Sequence, residues 1–353
     1  MQSSREVWNR LLNAGLVEGE EPKLEVKSPW YVKLLLSLSG WVGALFLVVF
    51  VGGVLGVMIG RNVDNFPLLL TLIGGGLIFF SYTMFKEKQS EFLEHFILAL
   101  SVTGQGLVIG SMLIMLKSDF DTSIYLFIVI FQAFLMWVVP NYIHRMLSSF
   151  FMGLSLVYLF NTMHEPVLVD IVLTFSVAWL WMNEFNFSEQ SKMEAIAYGQ
   201  TTALVWMTYA SMVVPLYHRG YKAPLFSDGA LMLGLFSILL YVVWMILKES
   251  QKLEDRRVIS LSAVALVVLA FFSMNVHSLV VGVILLLVGY AHSHRLLIGL
   301  GVLSSLASLS HYYYFREETL MEKAGLLLLL GVGLLVGRFV MRYALKKEEV
   351  QDV

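Results

Sequence analysis

From Leu34 to Met341 the chain alternates long uncharged apolar runs with short polar connectors. A helix needs roughly 17–25 mostly apolar residues to cross a bilayer. Runs of that kind fall near 34–60, 66–85, 95–116, 122–139, 146–162 and 167–182, and again near 194–216, 229–247, 258–274, 278–291, 296–314 and 324–341. None shows the strict alternation of a barrel strand, and an unpaired backbone in hydrocarbon is costly, so the pattern predicts helices. The expected fold is all-α, a polytopic transmembrane bundle of about twelve spans. The pairs flanking Met274 and Ala291 have very short connectors. Either pair could instead form one long bent element or a re-entrant hairpin.

The flanks read differently. Residues 1–33 form a polar N-terminal segment in which Val7, Trp8, Leu11 and Leu12 recur at helical spacing before Gly15, predicting one short amphipathic helix. It would lie on the bilayer, on a partner or on the protein's own polar face. No signal-peptide core precedes the first span, which is expected to be retained. Pro29, Trp30 and Tyr31 mark an interfacial entry. The bundle is expected over 34–341 and a polar tail over 342–353. No connector is long enough for a soluble catalytic domain, so any activity must reside in the bundle or at its rims.

Composition agrees with lipid as the solvent. Hydrophobic residues make up 58% and charged residues 14% of the chain, against about 25% charged in soluble domains. The net charge of −2 gives no basis for nucleic-acid binding. Placement says more: with twelve spans, eighteen Lys and Arg residues fall on the side of the two termini and six on the other. The positive-inside rule then puts both ends in the cytoplasm. With no cysteine, disulfides, thiolate metal sites and cysteine nucleophiles are excluded.

Small and polar residues inside the spans supply the candidate chemistry. Gly52, Gly56 and Gly60, Gly106 with Gly110, and Gly333 with Gly337 lie four residues apart, a spacing that lets helices approach closely. Packing within the bundle is the expected use, and a dimer interface the alternative. Asp170 is the one acidic residue placed inside a span, about a turn from its outer end, where it could couple to a proton or cation or simply reach water. Gln105 and Gln132 sit deeper on neighbouring spans, and each amide could satisfy the other. Tyr198, Thr202 and Trp206 form a stripe beside Gln200 and Thr201. Together Gln105, Gln132, Asp170, Tyr198, Gln200 and Thr202 could line a cavity or form a polar network. Interhelical hydrogen bonding explains the stripe equally well.

The rims carry weaker signals. Glu91, Glu94 and His95 share a helix face, and His292 and His294 form an H-x-H, but neither group has an evident further ligand. On the outer side, His277, His311, Tyr312, Tyr313, Tyr314, Glu317 and Glu318 could form a partner surface, although aromatic belts are ordinary at membrane boundaries. Signatures of zinc proteases, serine hydrolases and phosphate-binding loops are absent, and no cofactor or metal is expected.

Two stretches carry a resemblance. Ala14-Gly15-Leu16-Val17, Ser28-Pro29-Trp30-Tyr31-Val32 and Gly40-Trp41 form the first; Tyr312-Tyr313-Tyr314, Thr319-Leu320 and Lys323 before a Leu-rich span form the second. In these the chain resembles an uncharacterised family of bacterial inner-membrane proteins, domain of unknown function 4401. The resemblance implies a multi-pass inner-membrane location. It also implies a neighbouring gene for a small single-span periplasmic protein with a Gly-Asp-Tyr motif. It carries over no catalytic or binding residue. The function expected is that of a non-enzymatic subunit or scaffold of an envelope membrane complex. The alternatives are a transporter or flippase for an apolar or lipid-linked substrate, with a cavity lined by Gln105, Gln132, Tyr198 and Thr202, and a membrane-embedded enzyme.

Overall fold

The computed structural model describes residues 8, 10, 12–15, 29–59, 66–87, 90–116, 121–213, 228–273, 276–315 and 319–349. These residues are all-α. Their order is α1 (Trp30–Ile59), α2 (Phe66–Met84), α3 (Glu91–Leu116), α4 (Thr122–Val138), α5 (Tyr142–Thr162) and α6 (Pro166–Met182). There follow α7 (Gln190–Val213), α8 (Asp228–Glu249), α9 (Arg256–Ser273), α10 (Ser278–Ala291), α11 (Arg295–Phe315) and α12 (Leu320–Glu349). A single 3₁₀ turn, Glu184–Asn186, follows α6.

The helix starts are written locally. Asp121 caps α4 by accepting from the N–H of Ser123 at 3.0 Å, and Asn141 caps α5 by accepting from the N–H of His144 at 2.9 Å. Pro166 opens α6, where its missing N–H costs nothing. Before α12, Glu322 accepts from the Thr319 N–H at 3.0 Å while its own N–H donates to Thr319 Oγ1 at 3.3 Å, a capping box.

Seven of the described helices (α2, α3, α5, α8, α9, α11 and α12) are long and apolar enough to cross a membrane. Helices α4, α6 and α10 are apolar but shorter, as is the Tyr31–Phe46 part of α1. The twelve expected runs thus appear as twelve helices among the described residues, with seven meeting the length and apolarity of a span. The ambiguous region near 258–291 contains two separate helices. The second, α10, has 14 residues and packs against α11 along its length. At roughly 1.5 Å per residue it is shorter than a bilayer core, and Val280, Ile284, Leu285 and Val288 are buried. The tail expected from 342 continues α12 as helix to Glu349.

Contacts among the described connectors and helix ends gather at two ends of the bundle. At one end Lys33 pairs with Glu91 at 2.7 Å, Asn141 reaches Glu94 at 2.9 Å, and Glu184 meets His294 at 2.7 Å. At the other, Thr122 donates to Thr162 at 3.1 Å and Lys323 donates to the Tyr313 carbonyl at 2.9 Å. The main core lies among α5, α6, α7, α8, α10 and α11 around Trp181, Leu204, Leu235 and Leu285. A smaller cluster joins α1 to α3 through Ala44, Ala99 and Leu100. A third surrounds Phe272 and Tyr312, with Leu326 and Leu330 of α12 resting on it.

Glycine decides where helices touch. A Cβ on Gly74 would lie 2.6 Å from the Gly104 carbonyl oxygen, and one on Gly104 would lie 2.6 Å from that of Gly74, so α2 and α3 meet backbone to backbone. Gly301 of α11 faces the Leu286 N and the Gly282 carbonyl of α10 in the same way. The expected packing glycines behave otherwise. Gly106, Gly110 and Gly337 meet nothing within 4 Å, and Gly333 makes only ordinary contact with Phe272 and Val268. Four-residue spacing puts two glycines on one face without saying where that face points. Gly60 lies outside the described residues, and of Gly52 and Gly56 only their helical backbone in α1 is described.

Candidate functional site

The densest polar centre is built where α3, α4 and α5 meet. Gln132 on α4 donates its Nε2 to Gln105 Oε1 at 3.0 Å, and Gln105 on α3 donates to His144 Nε2 on α5 at 2.9 Å. Ser101 Oγ also stands 2.9 Å from that nitrogen. A ring nitrogen that accepts leaves the proton on the other, so His144 Nδ1 faces Ser148 Oγ, at 3.4 Å, as the donor. All five side chains are buried, with Gln105 3% and Gln132 1% exposed. Only Gln132 Oε1 lacks a partner. The Asn141 amide extends the cluster towards the rim, donating to Glu94 while its oxygen caps the helix that carries His144.

Neither His144 nor its serines figured among the candidates read from the sequence. His144 sits one turn inside a helix start next to Arg145, so it reads as connector. The signal that could have exposed it is the Asn141 cap, which pulls the helix start, and His144 with it, into the bundle.

A second polar centre lies on α7. Gln200 donates to the Ser149 carbonyl at 3.0 Å, and Thr201 accepts from Trp181 Nε1 at 2.9 Å. Tyr198 meets the Trp181 ring edge-on at 4.8 Å, and Thr202 donates to the Tyr198 carbonyl of its own helix. Helix α7 packs on α5, α6 and α11, which keeps its amide and hydroxyls away from lipid. Beyond Trp181 the His294 imidazole bonds the nearly sealed Glu184 carboxylate. Beside them a cleft of about 360 Å³ is lined by Met182, Phe185, Asn186, Glu249 and the His292–Ser293 turn.

The six residues expected to share a cavity are therefore divided. Gln105 and Gln132 belong to the His144 cluster, while Tyr198, Gln200 and Thr202 are used within α7 and against α5 and α6. Asp170 stands apart on α6. Gln105 and Gln132 lie in a packed interior, so the lining foreseen for a transporter does not assemble among the described residues. At the rims, Glu91 and Glu94 bond Lys33 and Asn141. His292 turns to the Val288 carbonyl and His294 to Glu184, so the H-x-H pair diverges.

The outer surface is also altered. Tyr312 is 2% exposed and belongs to the core around Phe272, because its position on α11 faces α9 and α10. Tyr313 and Tyr314 are exposed and stack edge-on at 5.1 Å. His277 Nδ1 stands 3.1 Å from the Ser273 carbonyl, and His311 is half-buried. Glu317 and Glu318 lie outside the described residues.

Helix α12 presents the most open surface. Its principal neighbour is α9, and a shallow concavity of about 580 Å³ runs along Leu327, Leu328, Gly331, Val332, Leu335 and Arg338. The chain matches none of the curated proteins and none of the solved structures with which it was compared. Residues 29–344, which embrace all twelve helices up to the last turns of α12, do match a family, and the chain belongs to it: the domain of unknown function DUF4401.

Proposed function

We propose that the protein is a non-enzymatic subunit of an envelope membrane complex, spanning the bacterial inner membrane as a helix bundle with both ends in the cytoplasm. The observation that carries this reading is α12: a long apolar helix with a shallow apolar concavity around Gly331 that nothing among the described residues fills. A concavity lined by leucine and valine around a glycine accepts a second helix, because the missing side chain allows close approach. The occupant is the single span of a small partner protein. Its outer end would meet Tyr313 and Tyr314, which flank the start of α12 through the Lys323 bond. The interior supports the same reading, since its polar side chains bond one another across α3, α4, α5, α6 and α7 and so hold helices in place.

A photoreactive amino acid substituted for Leu328, compared with one at Phe79 on the outside of α2, tests the reading in native membranes. Crosslinking to one small single-span protein from position 328 and not from 79 is expected. Lipid adducts alone at both positions would overturn it.

A further inference from the structure

Asp170 and Thr174 lie four residues apart on α6, one turn above the other on the same face. Thr174 is completely buried, yet its Oγ1 has no hydrogen-bond partner. The other threonines within the described helices do not behave so. Thr71, Thr103, Thr201, Thr202 and Thr208 each donate to the carbonyl four residues earlier. Thr83 and Thr162 reach the carbonyl three residues earlier, and Thr122 donates to Thr162. That back-bond is the ordinary way a hydroxyl is satisfied inside an apolar helix. Thr122, which opens its helix, has Thr162 instead, so Thr174 is the one threonine in the described helices with a buried, unpartnered oxygen.

Asp170 is in a similar position. Its Oδ1 is sealed from the surface and unpartnered, while the residue as a whole is only half-buried, so the carboxyl stands between surface and interior. An ionised carboxylate oxygen left unpaired in an apolar bundle is strongly disfavoured. The titratable groups at this end of the elements packed on α6 are Tyr158 of α5 with His164 and Glu165 after it, Tyr209 of α7, Asp228 opening α8 and His277 before α10. Among the described residues no lysine, arginine or histidine pairs with Asp170. The described side chains thus supply no compensating charge for Asp170, and His218, Arg219 and Lys222 lie outside the described residues.

We propose that Asp170 Oδ1 and Thr174 Oγ1 form a binding site for a single positive charge, a monovalent cation such as sodium or a proton. Two oxygen donors suit a hard cation, and one carboxylate balances one charge. Bound as a proton, the charge sits on Asp170 Oδ1 and leaves the carboxyl neutral one turn from the Thr174 hydroxyl. The site does not rest on the proposed partner, since α6 packs on α5, α7, α8 and α10, whereas α12 packs on α9.

The test uses the full chain in nanodiscs, titrating sodium chloride against choline chloride, with the thermal midpoint and bound radioactive sodium as readouts. Infrared spectroscopy of the carboxyl C=O stretch is run alongside. For a cation, sodium raises the midpoint and binds saturably, Asp170→Asn abolishes both, Thr174→Val weakens binding about tenfold or more, and Thr174→Ser restores it. For a proton, sodium has no effect, but a protonated-carboxyl band is present near neutral pH, vanishes in Asp170→Asn and shifts in Thr174→Val. The proposal is overturned by wild-type protein showing neither response, or by responses that Thr174→Val and Asp170→Asn leave unchanged. If Asp170→Asn does not fold, the wild-type and Thr174→Val measurements decide between these outcomes.

Discussion

The α2–α3 pair and α12 are both glycine-bearing apolar helices, and they use their glycines in opposite ways. Gly74 and Gly104 bring two backbones together so closely that a methyl group on either would strike the other's carbonyl. On α12, Gly325, Gly331 and Gly337 face open space. Of α3's apolar stretch 44% is buried, against 6% for α12. Identical residues at comparable spacing thus seal the bundle in one place and leave an unfilled surface in another. What differs is the neighbour: α3 is enclosed by α1, α2, α4 and α5, whereas α12 stands at the edge beyond α9.

The sharpest way to break this contrast is to fill both kinds of glycine. Gly104→Val is expected to force α2 and α3 apart at a cost of about 1–3 kcal/mol or more, read as loss of monodisperse protein and a lower thermal midpoint. If it is tolerated, the two helices do not meet as described. The next effect is smaller. Removing either amide of the Gln105–Gln132 pair leaves the other buried without its partner, and the coupling between Gln105→Leu and Gln132→Leu in a double-mutant cycle should be about 0.6–1.7 kcal/mol. A coupling near zero would mean that water or lipid reaches the pair. Thr201→Val takes the acceptor from Trp181 and should cost about 0.5–1.5 kcal/mol, with a shift in the emission of the Trp181 indole. The smallest effect belongs to Gly106→Ala, which meets no neighbour and should leave stability within about 0.5 kcal/mol.

Much of the helical order was legible from apolar runs alone, since α2, α4, α6 and α10 begin and end within a residue or so of the predicted limits. Lipid makes length the governing signal, and length is written directly in the sequence. The extra turns at the starts of α3, α5 and α7 were not, because Glu91, Arg145 and Lys192 read as connector while their helices extend past the apolar core. The direction a face points was also hidden. Gly106 and Gly110 were expected inside because glycine permits close packing, but permission does not supply a neighbour. Gln105 and Gln132 were paired by depth and adjacency, whereas His144 was missed, since its burial depends on contacts that α5 makes with α3 through Ser101 and Gln105. The unpaired Thr174 oxygen has no sequence signal at all: its rotamer, not its identity, sets it apart from Thr201 or Thr208.

The claim that α12 is an open docking face is tested most directly by native mass spectrometry of the chain extracted from its own membranes in mild detergent, beside Gly331→Leu. The mutation fills the concavity without touching the core, so the variant should melt within about 0.5 kcal/mol of wild type. Wild-type protein is predicted to fly with one copy of a small single-span protein, and the variant without it. Wild-type protein recovered alone, with no stoichiometric companion, would contradict the account.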